Sequence, residues 1–243
     1  ETYRLSQELI KNDKIKDDFV ANTSHELRTP LNIMIALTES VVQRGAEHMD
    51  DSLKEDLLRV VSSGKRLENL TRDILDYTKL KYGELRMNKS VFQIDSVIES
   101  TVKEFSLLSV KKNIHIVFDN SQECLFVYAD KYRIIQVLYN LVGNAIKFTP
   151  AGGEVSISTA VKDEKVCVSV SDNGPGVSAD HLSHLTEPFF TTKTNGTGLG
   201  LAICRQLAQA NQGNLRFQSV SGEGLKVTLK LPLYLNNENQ ETV

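Results

Sequence analysis

The residue in this chain best suited to nucleophilic chemistry is His25, inside the stretch FVANTSHELRTPLN from Phe19 to Asn32. A free histidine titrates near about 6.5, so at neutral pH its ring keeps a lone pair that can attack phosphorus. Glu26 follows directly and can hold the ring in one tautomer and draw off its proton. Thr29 comes four residues after His25, and Pro30 then interrupts the helical pattern. Taken alone, His25 reads as a polar helix residue; the surrounding stretch and the words further along the chain reverse that reading.

Four such words follow residue 139. In NLVGNAIKF (Asn140 to Phe148), Asn140, Asn144 and Lys147 are spaced four and three apart and share one helix face. Two amide oxygens and a cation on one face suit a metal-bound polyphosphate, since Mg²⁺ favours oxygen ligands. In DNGPGV (Asp172 to Val177), Asp172 can accept from an exocyclic amine such as that of adenine. Gly174 and Gly176 let the backbone turn sharply and come close to a ligand. EPFFTTK (Glu187 to Lys193) offers Phe189 and Phe190 as core or as a loop latch, and Lys193 as a reach toward a terminal phosphate. GTGLGL (Gly196 to Leu201) opens a helix, where amides and the positive end of the dipole make an anion site. It lacks GxGxxG spacing and no strand leads straight into it, so a Rossmann reading is disfavoured; the P-loop word is absent as well. Separately, the first word reads equally as a solvated polar face, and the second reads more readily as an ordinary turn.

The elements that must carry these words divide the chain in two. From Glu1 to about Lys16 the sequence is charged and helix-like, and the helix is expected to run on past His25 with a kink near residues 26–30. Leu31, Ile35 and Val42 resume an apolar stripe, and Leu27 and Leu31 are expected to face inward. A second helix, Ser52 to Tyr82, carries Leu53, Leu57, Val60, Gly64, Leu67, Thr71, Ile74 and Thr78 at seam spacing and would run about 46 Å at 1.5 Å per residue. One such hairpin leaves its seam half uncovered, which predicts a homodimeric four-helix bundle. After Tyr82-Gly83 the pattern changes to a short strand at Val91–Ile94, a helix capped by Asp95, and strands at Ile114–Phe118 and Leu125–Tyr128. A helix capped by Asp130 and stopped at Pro150, two alternating strands, a helix at Leu199–Ala210 and a last strand pair complete it. Three helices over a mixed sheet predict an α+β sandwich. The expected domains are a lead-in helix (1–18), the helical hairpin (19–83), the sandwich (89–234) and a polar tail (235–243).

Composition agrees with this division. A chain of 243 residues that is 40% hydrophobic and 24% charged can bury a sizeable core, so global disorder is excluded. A formal net charge of -3 argues against broad nucleic-acid binding. Cys124, Cys167 and Cys204 lack metal-ligand spacing and read as buried thiols in a reducing compartment. No apolar run spans a bilayer, and no signal peptide is visible. The chain opens directly on a polar helix, as a piece of a longer protein would, which leaves a membrane anchor elsewhere in that protein open.

Together the words resemble those of the bacterial-type sensor histidine kinases, in family order and over about residues 15–233. FVANTSHELRTPLN resembles the H box, NLVGNAIKF the N box, DNGPGV the G1 box, EPFF the F box and GTGLGL the G2 box. The second domain also resembles the wider ATPase superfamily that includes gyrase and MutL, with its Bergerat-type ATP-binding fold; the H box separates this chain from those relatives. The resemblance implies that His25 is autophosphorylated from ATP, with Glu26 as base or orienter, and that the phosphoryl group passes to an aspartate on a response regulator receiver domain. It implies Thr29 as the position that aligns water for dephosphorylating that regulator. It implies Asn144 as the Mg²⁺ ligand with Asn140 assisting, and Lys147 near the phosphates. Asp172 would read adenine. Gly174, Gly176, Lys193, Gly196, Thr197, Gly198, Leu199 and Gly200 would shape the nucleotide pocket and its lid. It further implies a homodimer, a cytoplasmic location, and a hinge at Tyr82–Asn88 that lets the two domains meet. His184-Leu185-Thr186 departs from the pattern, since many relatives carry an aromatic there. His48, His115, His181 and His184 match no motif position and read as surface or structural. Three rival readings remain at this stage: a core acting mainly as a phosphatase, a nucleotide-binding scaffold, and an ATP-driven conformational machine.

Overall fold

The computed structural model describes residues 27, 29–45, 50–119, 124–191 and 197–235. The chain forms two compact units, Glu1–Leu85 and Arg86–Val243. The expectations for the lead-in helix and for tail residues 236–243 lie outside the described residues.

The first unit is a pair of helices, α1 (residues 29–45) and α2 (Asp51–Lys81). α2 carries Asp51 in its first turn and Lys79 and Lys81 in its last, charges that suit the two poles of a helix. Leu31 and Ile35 of α1 form a buried cluster with Val61 of α2. Lys65 donates to Glu39 across the pair at 2.5 Å. Gly64 explains how the helices come so close: a Cβ there would lie 2.6 Å from Ile35 Cγ1. The buried face of α2 is Val61, Thr71, Leu75 and Thr78. Of the expected seam, Thr71 and Thr78 are buried, while Leu53, Val60 and Leu67 are exposed in the single chain, as a half-uncovered seam requires; Leu27 is 48% exposed. The apolar stripe is wider than one neighbour can cover; among the described residues of α1, Leu31 and Ile35 lie against its Val61–Gly64 side.

The second unit is a sandwich. It runs β1 (Lys89–Gln93), α3 (Ile94–Lys112), β2 (His115–Asp119), β3 (Phe126–Asp130), α4 (Lys131–Phe148), β4 (Glu154–Lys162) and β5 (Lys165–Asp172). The short α5 (Ala179–Leu182), α6 (Gly200–Ala210), β6 (Asn214–Val220) and β7 (Gly224–Pro232) complete it. Five strands form a sheet in the order β2-β4-β5-β7-β6, and β1 pairs with β3 apart from it. β2 and β4 are parallel and the other neighbours antiparallel, so the sheet is mixed as expected. Alternation sets the core: Val166, Val168 and Val170 lie opposite Leu231, Leu229 and Val227 in register, and all six are buried. α3, α4 and α6 pack over the sheet, with Ile134, Leu138 and Ile146 of α4 and Ile203 and Leu207 of α6 fully buried.

Two local expectations change. Asp95 does not cap α3. It sits inside the first turn, almost fully buried, and accepts from the Leu125 amide at 3.2 Å, which ties the helix start to the approach of β3. Cys167 and Cys204 are buried thiols, whereas Cys124 is exposed. Asp130 does cap α4, accepting from the Arg133 amide at 3.1 Å. That helix ends at Phe148 because Thr149 precedes Pro150 and is extended. Among the described residues no helix is long and apolar enough to cross a membrane.

Gly64→Val places a branched side chain where Ile35 now lies. The expected result is a thermal unfolding midpoint lowered in proportion to about 1–3 kcal/mol of overpacking. An unchanged midpoint by circular dichroism would show that the two helices part freely.

Candidate active site

The second unit gathers its chemistry-bearing residues around Asp172. Val166, Val168 and Val170 face the helical layer, and Asp172 takes the next position in that series at the end of β5. Its carboxylate is therefore carried inward and is 9% exposed. Oδ1 accepts from the amide of Gly174 at 2.9 Å and from that of Leu225 at 3.4 Å. Oδ2 accepts no hydrogen bond from the described residues and is available to a ligand donor. Burial pushes the carboxyl above its ordinary value, and the Gly174 and Leu225 amides oppose that shift.

Glycines make this placement possible where nothing larger fits. Gly176 has a φ of 66°, and a Cβ on it would lie 2.3 Å from the Val220 carbonyl. Gly224 has a φ of 93°, and a Cβ there would meet the Asp172 carbonyl. The loop after Asp172 is pinned to the β6–β7 turn: Val177 donates to Ser219 Oγ at 2.8 Å, and Ser219 Oγ donates to the Gly224 carbonyl at 2.6 Å. Sequence reasoning missed Ser219, Gly224 and Leu225. The turn Ser221-Gly222-Glu223-Gly224 carries a visible glycine signal, but nothing local ties it to Asp172.

α4 and α6 supply the rest. A Cβ on Gly200, the first residue of α6, would lie 3.4 Å from Asn140 Oδ1, so the first and fourth words meet in space. Among the described residues no side chain caps the N-terminus of α6, whose positive pole suits an anion. Asn144 and Lys147 lie on the α4 face away from its buried side, Lys147 exposed and Asn144 half-buried. The last turn of α4 reaches the second word: a Cβ on Gly174 would lie 3.0 Å from the Phe148 carbonyl. The third word joins the fourth through the backbone, where Phe189 donates to the Gly198 carbonyl at 3.0 Å. Gly198 (φ 68°) has no room for a side chain against Phe189, whose own φ is 65°.

Phe189 is 63% exposed and is not core. Phe190 packs against the rings of His181 and His184, with centroids 5.6 and 5.7 Å away. His184 Nδ1 lies 2.9 Å from Glu187. Both histidines therefore act structurally, as expected. Thr197 accepts from the Leu199 amide at 3.3 Å, and Leu199 is buried. Lys193 and Gly196 lie outside the described residues. In the first unit Thr29 is exposed on α1, while His25 and Glu26 lie outside the described residues.

Among the described residues no group of three or more His, Cys, Asp or Glu side chains gathers to hold a metal. The donors on α4 are amide oxygens. That set fits a Mg²⁺ ion held largely by phosphate oxygens and water, with Asn144 as a protein ligand.

Comparison with known proteins agrees with this geometry. Residues 15–83 match the family described as "His Kinase A (phospho-acceptor) domain". Residues 129–235 match "Histidine kinase-, DNA gyrase B-, and HSP90-like ATPase". The chain is 31% identical over 226 residues to the sensor protein SrrB of Staphylococcus aureus (strain MRSA252), covering 90% of this chain but 38% of SrrB. It resembles full-length ShkA in complex with AMPPNP at a TM-score of 0.78 and 29% identity, over 90% of this chain and 46% of that one. The catalytic domain of histidine kinase ThkA is 36% identical, with a TM-score of 0.56, over 60% of this chain and 96% of that one. ThkA in complex with the response regulator protein TrrA matches at a TM-score of 0.66 and 29% identity, over 96% of this chain and 66% of that one. The chain thus spans less than half the length of SrrB and of ShkA.

The raised Asp172 carboxyl has a consequence for stability. Between the ordinary carboxyl value of 3.8 and the raised one, the folded chain keeps a proton that the unfolded chain has released. Folding stability from this group therefore falls as pH rises through that window and is level above it. Asp172→Asn removes the titration and keeps an oxygen for the two amides. In urea unfolding from about pH 4 to about pH 7, the stability of the variant relative to wild type is expected to climb with pH. A difference independent of pH would place the carboxylate in an ordinary environment.

Proposed function

The chain belongs to the histidine kinases, and on that premise we propose that it is the catalytic core of a two-component sensor kinase. Its reaction is ATP-dependent phosphorylation of His25, followed by transfer to an aspartate of a response regulator. One observation carries the ATP half: Asn140 meets Gly200, and the end of α4 meets Gly174 beside the inward-facing Asp172. The match of residues 15–83 to a phospho-acceptor family supports the His25 half. The ThkA–TrrA complex supports a receiver domain as the partner.

In this reading Oδ2 of Asp172 accepts from the adenine amine while Oδ1 stays held by Gly174 and Leu225. The open N-terminus of α6, with Gly198, Leu199 and Gly200, takes phosphate oxygens. Lys147 adds a cation, and Gly174, Gly176, Lys193, Gly196 and Thr197 shape the pocket and lid. Mg²⁺, where bound, neutralises phosphate charge beside Asn144 and Asn140. The His25 ring nitrogen attacks the γ-phosphorus, the bond to the β-phosphate oxygen breaks, ADP leaves, and Glu26 takes the ring proton. The phosphoramidate then passes its phosphoryl group to a receiver carboxylate. Thr29 lies four residues from His25, one turn along the helical spacing, where its exposed hydroxyl can align water on the phosphorylated regulator. Ile33, Met34, Leu37, Leu53, Val60 and Leu67 are exposed on the hairpin, and a second copy covering them would make the homodimer. We place the reaction in the cytoplasm, where ATP is available.

Incubation with labelled ATP and Mg²⁺ is expected to give an acid-labile, base-stable label on the wild type. His25→Gln should carry none while still binding nucleotide. Label persisting in that variant, or free phosphate released without a phosphoprotein, would sink the assignment. Thr29→Ala is expected to label normally and to slow dephosphorylation of a phosphorylated regulator by roughly tenfold or more. Dephosphorylation at the wild-type rate would remove Thr29 from that step.

A further inference from the structure

The far end of α4 raises a question that none of the sequence words answers. A helix leaves its last four carbonyls without intrahelical partners. In α4 these belong to residues 145–148, in and beside the turn that carries Asn144 and Lys147. The Ala145 carbonyl accepts from both the amide and the hydroxyl of Thr149, at 3.0 and 2.7 Å. The next two carbonyls are taken from outside the helix: Lys112 Nζ, at the end of α3, donates to Ile146 at 2.9 Å and to Lys147 at 3.3 Å. The fourth, on Phe148, faces Gly174.

The same corner is tied again one residue later. Asn113 ends α3 in the left-handed conformation, with a φ of 54°. Its carbonyl accepts from the Gly152 amide at 2.6 Å, in the turn that follows α4. Asn173 Oδ1 accepts from the Glu154 amide at 2.9 Å, joining that turn to the residue between Asp172 and Gly174. Asp172, Asn173 and Gly174 thus stand on a corner built from the ends of α3 and α4. Lys112 is the cation that closes it.

We infer that Lys112 is a positioning residue for nucleotide binding. Its ammonium fixes the last turn of α4 and offsets that helix's negative pole, and so sets the Phe148–Gly174 contact from which Asp172 reads the base. The inference rests on the ATP-site reading above and goes beyond it, because Lys112 lies outside every word that marks the site. Lys112 does not touch the nucleotide; it acts through α4 and the Asp172 loop. Its loss therefore shows in affinity rather than in the chemical step. A charged donor shared by two carbonyls also predicts that another cation of similar reach restores the effect.

The test uses the full chain as wild type, Lys112→Met and Lys112→Arg. ATP affinity is measured by competition against a fluorescent ATP analogue, and initial rates of His25 labelling are measured against ATP concentration. Lys112→Met is expected to raise both Kd and KM for ATP by about tenfold, with kcat at saturating ATP within about twofold of wild type. Lys112→Arg should return KM to within about threefold of wild type. If Lys112→Met fails to fold, Lys112→Gln, which keeps a donor without the charge, takes its place with the same expectation. A lowered kcat at unchanged KM, the result of a smaller folded fraction, would overturn the inference. So would wild-type affinity in the neutral variant, or no recovery with arginine. Wild type that binds no ATP would overturn the ATP site itself, and it is read before any variant.

Discussion

One buried carboxylate sets the terms for the second unit. To serve the proposed nucleotide site, Asp172 must sit deep enough to meet a flat aromatic base, yet remain able to ionise. Burial alone works against ionisation, since it pushes the carboxyl upward. Two backbone amides on Oδ1 offset part of that cost, and both must come from nearby chain. One comes from Gly174, two residues on. The other comes from Leu225, far away in sequence at the start of β7, and only an adjacent strand can deliver it. The order β4-β5-β7 places β7 beside β5, and Gly224 lets it close onto the Asp172 carbonyl without a side chain in the way. The sheet order, the turn before β7 and the glycine all follow from holding that one group.

The helices meet a related constraint. α4 and α6 each carry residues of the proposed nucleotide site, so each must be fixed in rotation and height. The two run antiparallel: Gly200 at the start of α6 lies by Asn140, while Asn211 just past its end donates to Leu207 and accepts from the Asp130 amide at the start of α4. Eleven residues of α6 span about 16 Å, and the ten steps from Asp130 to Asn140 span about 15 Å. The lengths agree, so both ends engage together. Asn211 is fully buried, and its amide satisfies a donor and an acceptor at once. Asp130 in turn caps α4 with Oδ1 and accepts from the Asn88 amide with Oδ2, at 2.8 Å. The start of α4 is thereby joined to the strand that opens the unit and to the end of α6.

These arrangements were legible in the sequence to different depths. Apolar alternation gave the strands within a residue or two, because burial of one sheet face leaves a period of two in the residues themselves. Asp130 and Pro150 bounded α4 correctly because capping and proline effects are local. Asp95 failed as a cap for the converse reason. Its partner is Leu125, thirty positions away, and no local pattern shows that a carboxylate has been claimed by another strand. Gly224, Ser219, Asn211 and Lys112 were missed on the same ground. The words found in the sequence are runs in which several neighbouring residues serve the site together. The residues missed serve it singly, through contacts made only once the sheet has formed.

The helical unit shows the limit from the other side. Its seam was read from spacing, and spacing did find a broad apolar stripe, but it could not say which part α1 would cover. Gly64 decides that. A residue without a side chain in mid-helix costs about 1 kcal/mol of helix propensity relative to alanine. Here that cost is set against the close approach of Ile35 and the burial of Leu31 and Val61. Covering that side leaves Leu53, Val60 and Leu67 exposed on the same helix. A small cluster of buried apolar residues is slight support for a 31-residue helix. Isolated apolar residues on a surface need no explanation, but a row that continues the buried stripe of the same helix does. The glycine that sharpens the fit between α1 and α2 is thus also what divides the stripe. It assigns one part to the hairpin and leaves the other for a further apolar surface.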